Sequence, residues 1–292
     1  MQLNVLWLVV AAAGLLPAAM AQQTYTYTSI DYPNAPSTNV NGINSKGDVV
    51  GDYEYIDKKG STFDLGFVRG ANGTFKTFEV PGATETDAAG ISNSLVIVGS
   101  SYPSQNASSG FIYVGGTFYP CDPTGKSCVL TGISMNNLIV GSTNTNAFEI
   151  KGPGQVESLP ELNGKVVNPS GINSSGTIVG FADTGVEDVT YGFILDPSGT
   201  YQIVQYPEAI EVSLNGINDA GAIVGYAEGT SYIQAFVYSQ GQFTDISYPG
   251  SSLTLPFGIN DSGVISGTYY DGNTYHGFIA TPVSQPAITS RR

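Results

Sequence analysis

The sequence predicts an all-β protein, a six-bladed β-propeller with four-stranded blades, the last blade closed by the N-terminal strand. Three observations lead there. A ten-residue motif recurs six times, the stretch from copy to copy parses into four short strands, and the two ends of the chain carry complementary fragments of one unit. The composition fits: 37 Gly and 18 Tyr in 292 residues supply turns and half-buried strand positions.

Each copy of the motif is a Gly-Ile pair with a second Gly nine residues after the first. The copies are GINSKGDVVG from Gly42, GISNSLVIVG from Gly90, GISMNNLIVG from Gly132, GINSSGTIVG from Gly171, GINDAGAIVG from Gly216 and GINDSGVISG from Gly258. The first strand of a unit leads into Gly-Ile, and an Asn-x-x-Gly stretch such as Asn218–Gly221 makes the hairpin turn. The apolar run ending in Gly is the second strand. The third contains a small residue followed by Phe67, Phe111, Phe148, Phe193, Phe236 or Phe278. The fourth is aromatic and alternating and ends at Pro, as in GTFKTFEVP from Gly73 and GQFTDISYP from Gly241. The Ile after Gly and the Phe are expected to pack between neighbouring blades, with the glycines allowing close backbone approach.

The sixth unit lacks its fourth strand, because the chain continues instead as ATPVSQPAITSRR. The missing piece stands at the other end. Tyr25–Pro33 reads YTYTSIDYP, matches the fourth strands, and places Pro33 nine residues before Gly42, the spacing also found at Pro81, Pro123, Pro207 and Pro249. Such a split unit suits a closed ring, which leaves no open edge between the termini, whereas an open solenoid would need distinct polar caps.

This pattern resembles the bacterial extracellular repeats called the HAF family, after a His-Ala-Phe triplet, over essentially all of residues 24–281. The His of that triplet is present only as His276, the other copies having Leu65, Ser109, Asn146, Tyr191 and Gln234. The resemblance implies the fold and a secreted location. It implies no established chemistry, and His276 reads as a repeat position without catalytic weight.

The chain opens with an apolar run, Val5–Leu16, followed by Pro17 and Ala19-Met20-Ala21, the pattern of a cleaved export signal. The expected organisation is a signal peptide over 1–21, the propeller over 22–282 and a flexible tail over 283–292, in a secreted or periplasmic protein. Cys121 and Cys128, the only cysteines, flank a Pro- and Gly-containing turn and are expected to form a local disulfide.

Charge narrows the function. With 24 Asp+Glu against 10 Lys+Arg the formal net charge is −14, so neither nucleic acid nor an anionic membrane surface is an expected partner. A single His removes every site that needs two, and three Arg are too few for sialidase-type chemistry. A monomer is expected. The loops of variable length fall on one face, acidic and rich in Tyr, where function is usually placed on a rigid scaffold. Tyr53, Tyr55, Tyr191, Tyr269 and Tyr270 are the candidate stacking planes for a glycan or another extracellular ligand. Asp52, Glu54 and Asp57 are candidate ligands for Ca²⁺, the one cofactor considered. A binding module is the favoured reading. The alternative is a propeller enzyme, a glycoside hydrolase, lyase or metal-dependent hydrolase with carboxylates at the central funnel. Carboxylates gathered at the axis with raised pKa would favour the enzyme, and exposed tyrosine planes would favour binding.

Overall fold

A computed structural model describes residues 23–104, 107–121, 127–186 and 189–283. The segment read as a signal peptide and most of the C-terminal tail lie outside the described residues. The fold is all-β, with 24 strands and no helix among the described residues. An N-terminal strand, β1 (Tyr25–Ile30), precedes the first unit. Unit one holds β2 (Thr38–Ile43), β3 (Val49–Ile56), β4 (Thr62–Arg69) and β5 (Phe75–Phe78). Unit two holds β6 (Glu85–Ile91), β7 (Ile97–Ser104), β8 (Ala107–Val114) and β9 (Thr117–Pro120). Unit three comprises β10 (Val129–Ile133), β11 (Ile139–Thr143), β12 (Asn146–Gly152) and β13 (Gln155–Ser158), and unit four β14 (Asn168–Ile172), β15 (Ile178–Asp183), β16 (Thr190–Leu195) and β17 (Tyr201–Val204). Unit five runs through β18 (Glu211–Ile217), β19 (Ile223–Glu228), β20 (Ile233–Ser239) and β21 (Gln242–Ile246). The last unit has β22 (Leu253–Ile259), β23 (Ile265–Tyr270) and β24 (Tyr275–Pro282), and β1 supplies its outer strand, pairing antiparallel with β24 from Tyr25↔Pro282 to Ile30↔Gly277. Consecutive strands within each unit pair antiparallel, and units one and two share a further parallel bridge, Asp64↔Glu85.

The repeated residues have repeated jobs. The six Ile that follow Gly and the six Phe of the third strands are all buried. Full burial of such a side chain contributes roughly 1.5–3 kcal/mol. Each hydrophobic cluster joins neighbours: Val50 and Phe78 of unit one pack with Ile91 and Phe111 of unit two, Val98 with Leu130 and Phe148, Val140 with Ile172 and Phe193, Val179 with Leu214 and Phe236, and Val224 with Ile259 and Phe278. The sixth cluster sets Ile30 of β1 beside Val40 and Phe67 of unit one. In the sixth unit the valine slot is Ser266, whose Oγ is buried without a hydrogen-bond partner.

The hairpin-turn asparagines are bifunctional. The side-chain oxygen of Asn260 accepts from the N–H groups of Ser262 and Val264, closing its own turn, while its Nδ2 donates to the Asn44 carbonyl of unit one. Asn44, Asn173 and Asn218 likewise reach the Ser92, Asn218 and Asn260 carbonyls of their neighbours. Where the motif reads Gly-Ile-Ser, the hydroxyl of Ser92 or Ser134 closes the turn by accepting from Val96 or Leu138.

Candidate functional site

Every first strand carries a register shift immediately before its Gly-Ile, at Val40/Gly42, Ala88/Gly90, Leu130/Gly132, Pro169/Gly171, Leu214/Gly216 and Pro256/Gly258. This is a β-bulge, in which one extra residue is left out of the ladder and its side chain is re-aimed. The six extra residues are Asn41, Ala89, Thr131, Ser170, Asn215 and Phe257, and all six line one central cavity of about 460 Å³. The bulge also explains the motif's second Gly. A Cβ on Gly225 would overlap the Ser213 carbonyl oxygen of the bulged strand, and Gly51, Gly99, Gly141, Gly180 and Gly267 stand in the same relation to their own first strands.

Three of the six cavity residues are tied into the scaffold. Asn41 Nδ2 donates to the Ala88 carbonyl at 3.0 Å, Thr131 Oγ1 to the Pro169 carbonyl at 2.7 Å and Asn215 Nδ2 to the Pro256 carbonyl at 2.8 Å, each crossing to the next unit. Ala89, Ser170 and Phe257 alternate with them. The rest of the lining adds Asp87, Asp219, Ser100, Tyr102, Phe181, Ser213 and Tyr226, with no Lys or Arg among the described residues. The cavity thus combines aromatic walls, hydroxyls and two carboxyl groups, those of Asp87 and Asp219.

The carboxylates gather between units one and two. Asp52 on β3 is buried and accepts from Asn39 Nδ2 at 2.8 Å and Asn41 Nδ2 at 2.9 Å. Burial, opposed by these two hydrogen bonds, raises its pKa to about 6. Asp87 on β6 is raised to about 7, first by burial and then by the charges of Asp52, Asp64 and Glu85. Asp64 is raised by burial and by Glu85 and Glu54. Burial and, next, the charges of Asp87 and Glu85 also push Tyr102 upward.

The residues singled out in the sequence do not form one site. Tyr53, Tyr191 and Tyr269 are only 7%, 8% and 9% exposed, so none offers an open stacking plane. Their rings are used internally. Tyr53 stacks on Tyr32 at 3.6 Å and Tyr269 on Tyr248 at 3.6 Å, each pair fastening a fourth strand's end to the neighbouring second strand. Tyr55, 44% exposed, sits toward the tip of the β3–β4 hairpin beside Phe63, and Tyr270 pairs with Tyr275 at the β23–β24 hairpin. Asp52, Glu54 and Asp57 are likewise not brought together as metal ligands: Asp52 is held by the two asparagines, and Asp57 Oδ1 accepts from the N–H groups of Lys59 and Ser61 in its own turn. Among the described residues no group of three or more His, Cys, Asp or Glu is arranged to hold a metal ion. Cys121 and Cys128 form the expected disulfide. Sequence reading missed Tyr226, Phe181 and the bulge positions. Their signal was present: the residue before each Gly-Ile changes from copy to copy while the Gly-Ile that follows it does not.

No known family model matches the chain, and no curated protein matches it either. Solved structures of similar shape include virginiamycin B lyase from Staphylococcus aureus, 12% identical with a TM-score of 0.49, covering 89% of this chain and all of that one. A nidogen/laminin complex gives 15% identity and a TM-score of 0.49, over 82% of this chain and 88% of that one. The fucose-specific lectin from Aleuria aurantia gives 14% and 0.47, over 92% and 98%. At these values no statement about ligand or chemistry rests on them.

Proposed function

We propose that the chain is a secreted, closed, six-bladed β-propeller acting as a binding module, and that a neutral carbohydrate enters its central cavity. The observation that carries the reading is the bulge ring, which projects one variable side chain per unit into the cavity while the packing slots around it stay constant. Ring closure is supported by hydrogen bonds between the inner turns of every neighbouring pair: Asn93 Oδ1 accepts from the Ser45 N–H, Ser94 Oγ donates to Asn137, Asn136 to the Ser174 carbonyl, Ser174 N–H to Asp219, Asp219 N–H to Asp261, and Ser45 Oγ to Asp261. The disulfide supports an oxidising compartment. The ligand class follows from the lining. Phe257, Phe181 and Tyr226 offer apolar faces, Ser170 and Ser100 offer hydroxyls, and the carboxyls of Asp87 and Asp219, with no basic residue among the described lining, disfavour anions.

A glycan array with the folded chain, followed by titration of the best neutral oligosaccharide against wild type and F257A, tests this. Binding should fall about tenfold or more in F257A while the melting temperature holds within a few degrees. An array without hits, or full affinity in F257A, defeats the reading. One observation favours the enzyme alternative: Asp87, raised to about 7, keeps a proton available near neutral pH, as a general acid requires. Release of reducing ends from the bound oligosaccharide, abolished in D87N with binding retained, would establish it.

A further inference from the structure

We infer that a notch in the rim over unit three is a second subsite, through which a linear oligosaccharide runs outward from the central cavity. The inference rests on the carbohydrate reading and adds to it the ligand's length and its direction of exit. The notch encloses about 300 Å³ between units two and four. Ser108 and Ser127 stand on one side, Ser142 and Asn144 along the base, and Val166 and Asn168 on the other side.

The notch comes from the length of one hairpin. β7 of unit two runs five residues beyond its motif glycine, Gly99, whereas β11 of unit three stops two residues beyond Gly141. At about 3.3 Å per residue, the second strand of unit three ends about 10 Å lower than that of unit two. The low wall also adjoins the cavity. Asn168 lines the notch, and its register partner Phe181 lines the cavity. Val129 and Asn168 in the notch stand two residues before Thr131 and Ser170, the cavity residues of the same strands. The two spaces are therefore about 7 Å apart along β10 and β14.

The lining suits a neutral chain. Among the described residues no charged side chain faces the notch, whereas Glu54, Asp64 and Glu85 gather over units one and two. Asn144 and Asn168 are exposed, and each amide offers both donors and an acceptor to vicinal hydroxyls. One wall is also held rigid. Cys128 lines the notch, is buried and disulfide-bonded to Cys121, and its carbonyl accepts from the Gly110 N–H of β8 at 2.7 Å. Beside it, Ser127 Oγ donates to the Ser108 carbonyl at 2.9 Å. A wall fixed in this way gives up little freedom when a ligand arrives.

The test titrates the folded full chain with the best neutral glycan of the array, as its hexasaccharide and as its disaccharide. Wild type should bind the hexasaccharide about tenfold more tightly than the disaccharide. N144W, which fills the notch at an exposed turn, should lose that gain and bind the disaccharide as wild type does. N168A, a smaller change, should weaken the hexasaccharide alone by about threefold. Equal affinity of wild type for both lengths, or a full length gain kept in both N144W and N168A, would overturn the notch and leave the cavity reading standing. Wild type binding neither length would overturn both.

Discussion

Ser266 and Asp87 each depart from what their neighbours would suggest, and each gives a stability prediction. Ser266 occupies the slot held by Val50, Val98, Val140, Val179 and Val224, yet its hydroxyl is buried with nothing to bond. An unsatisfied buried hydroxyl costs about 1–3 kcal/mol. Ser266→Val restores the methyl contacts and removes that cost, so thermal melting of the variant should rise by about 2–4 °C. Asp87 and Asp52 act through pH. Their folded-state pKa values, about 7 and about 6, lie above the ordinary 3.8. The folded chain therefore holds protons that the unfolded chain has lost, and stability falls as pH rises from about 4 to about 7. Chemical denaturation across that range should show stability falling by several kcal/mol in wild type, at about 1.4 kcal/mol per unit of pKa shift. D87N, which removes one of the two raised carboxyls, should flatten the slope.

The four-stranded unit was legible in the sequence because its signals are local. Turn asparagines, the Gly-Ile pair and the small-residue-Phe pair each mark one element, and period-two alternation fills the strands between. The bulge was not legible. A one-residue register shift leaves composition and spacing unchanged, and the nine-residue interval between glycines reports it only once the facing carbonyl is seen. The candidate site was hidden for the same reason. Tyr53 and Tyr269 read as loop aromatics because they end long second strands, but those strands carry their rings inward onto Tyr32 and Tyr248. The hairpin turn also predicts a measurable exception. Leu95 adopts φ of 62° where Gly47, Gly176, Gly221 and Gly263 serve in other copies, and half of its side chain is exposed. A left-handed conformation costs a branched side chain about 1–2 kcal/mol. Leu95→Gly should therefore stabilise unit two by about 1 kcal/mol, read as a rise in the denaturation midpoint.

At the scale of the whole molecule, the pairing of β1 with β24 makes the sixth unit the only one assembled from distant segments among the described residues. Deleting residues 22–33 removes all of β1, Asp31 and the Tyr32 ring that stacks on Tyr53. The remaining chain should lose its cooperative melt, since the sixth unit then presents the bare edge of β24. A broad, non-two-state transition followed by calorimetry is the expected outcome, and an unchanged melt would show that the units stand alone. Opening the Cys121–Cys128 disulfide closes off far less. Its seven-residue separation spans only the connection from β9 of unit two to β10 of unit three.

The placement of β1 also sets an order of events. The first strand of the described chain finds its partner only after the segment ending at Pro282 exists, so for most of synthesis it has nowhere to go. Five units can build one upon another, but the seam is sewn last and by the earliest thread. Until then the chain has an unfinished edge at each end, and the β1–β24 pairing is the slow, long-range step.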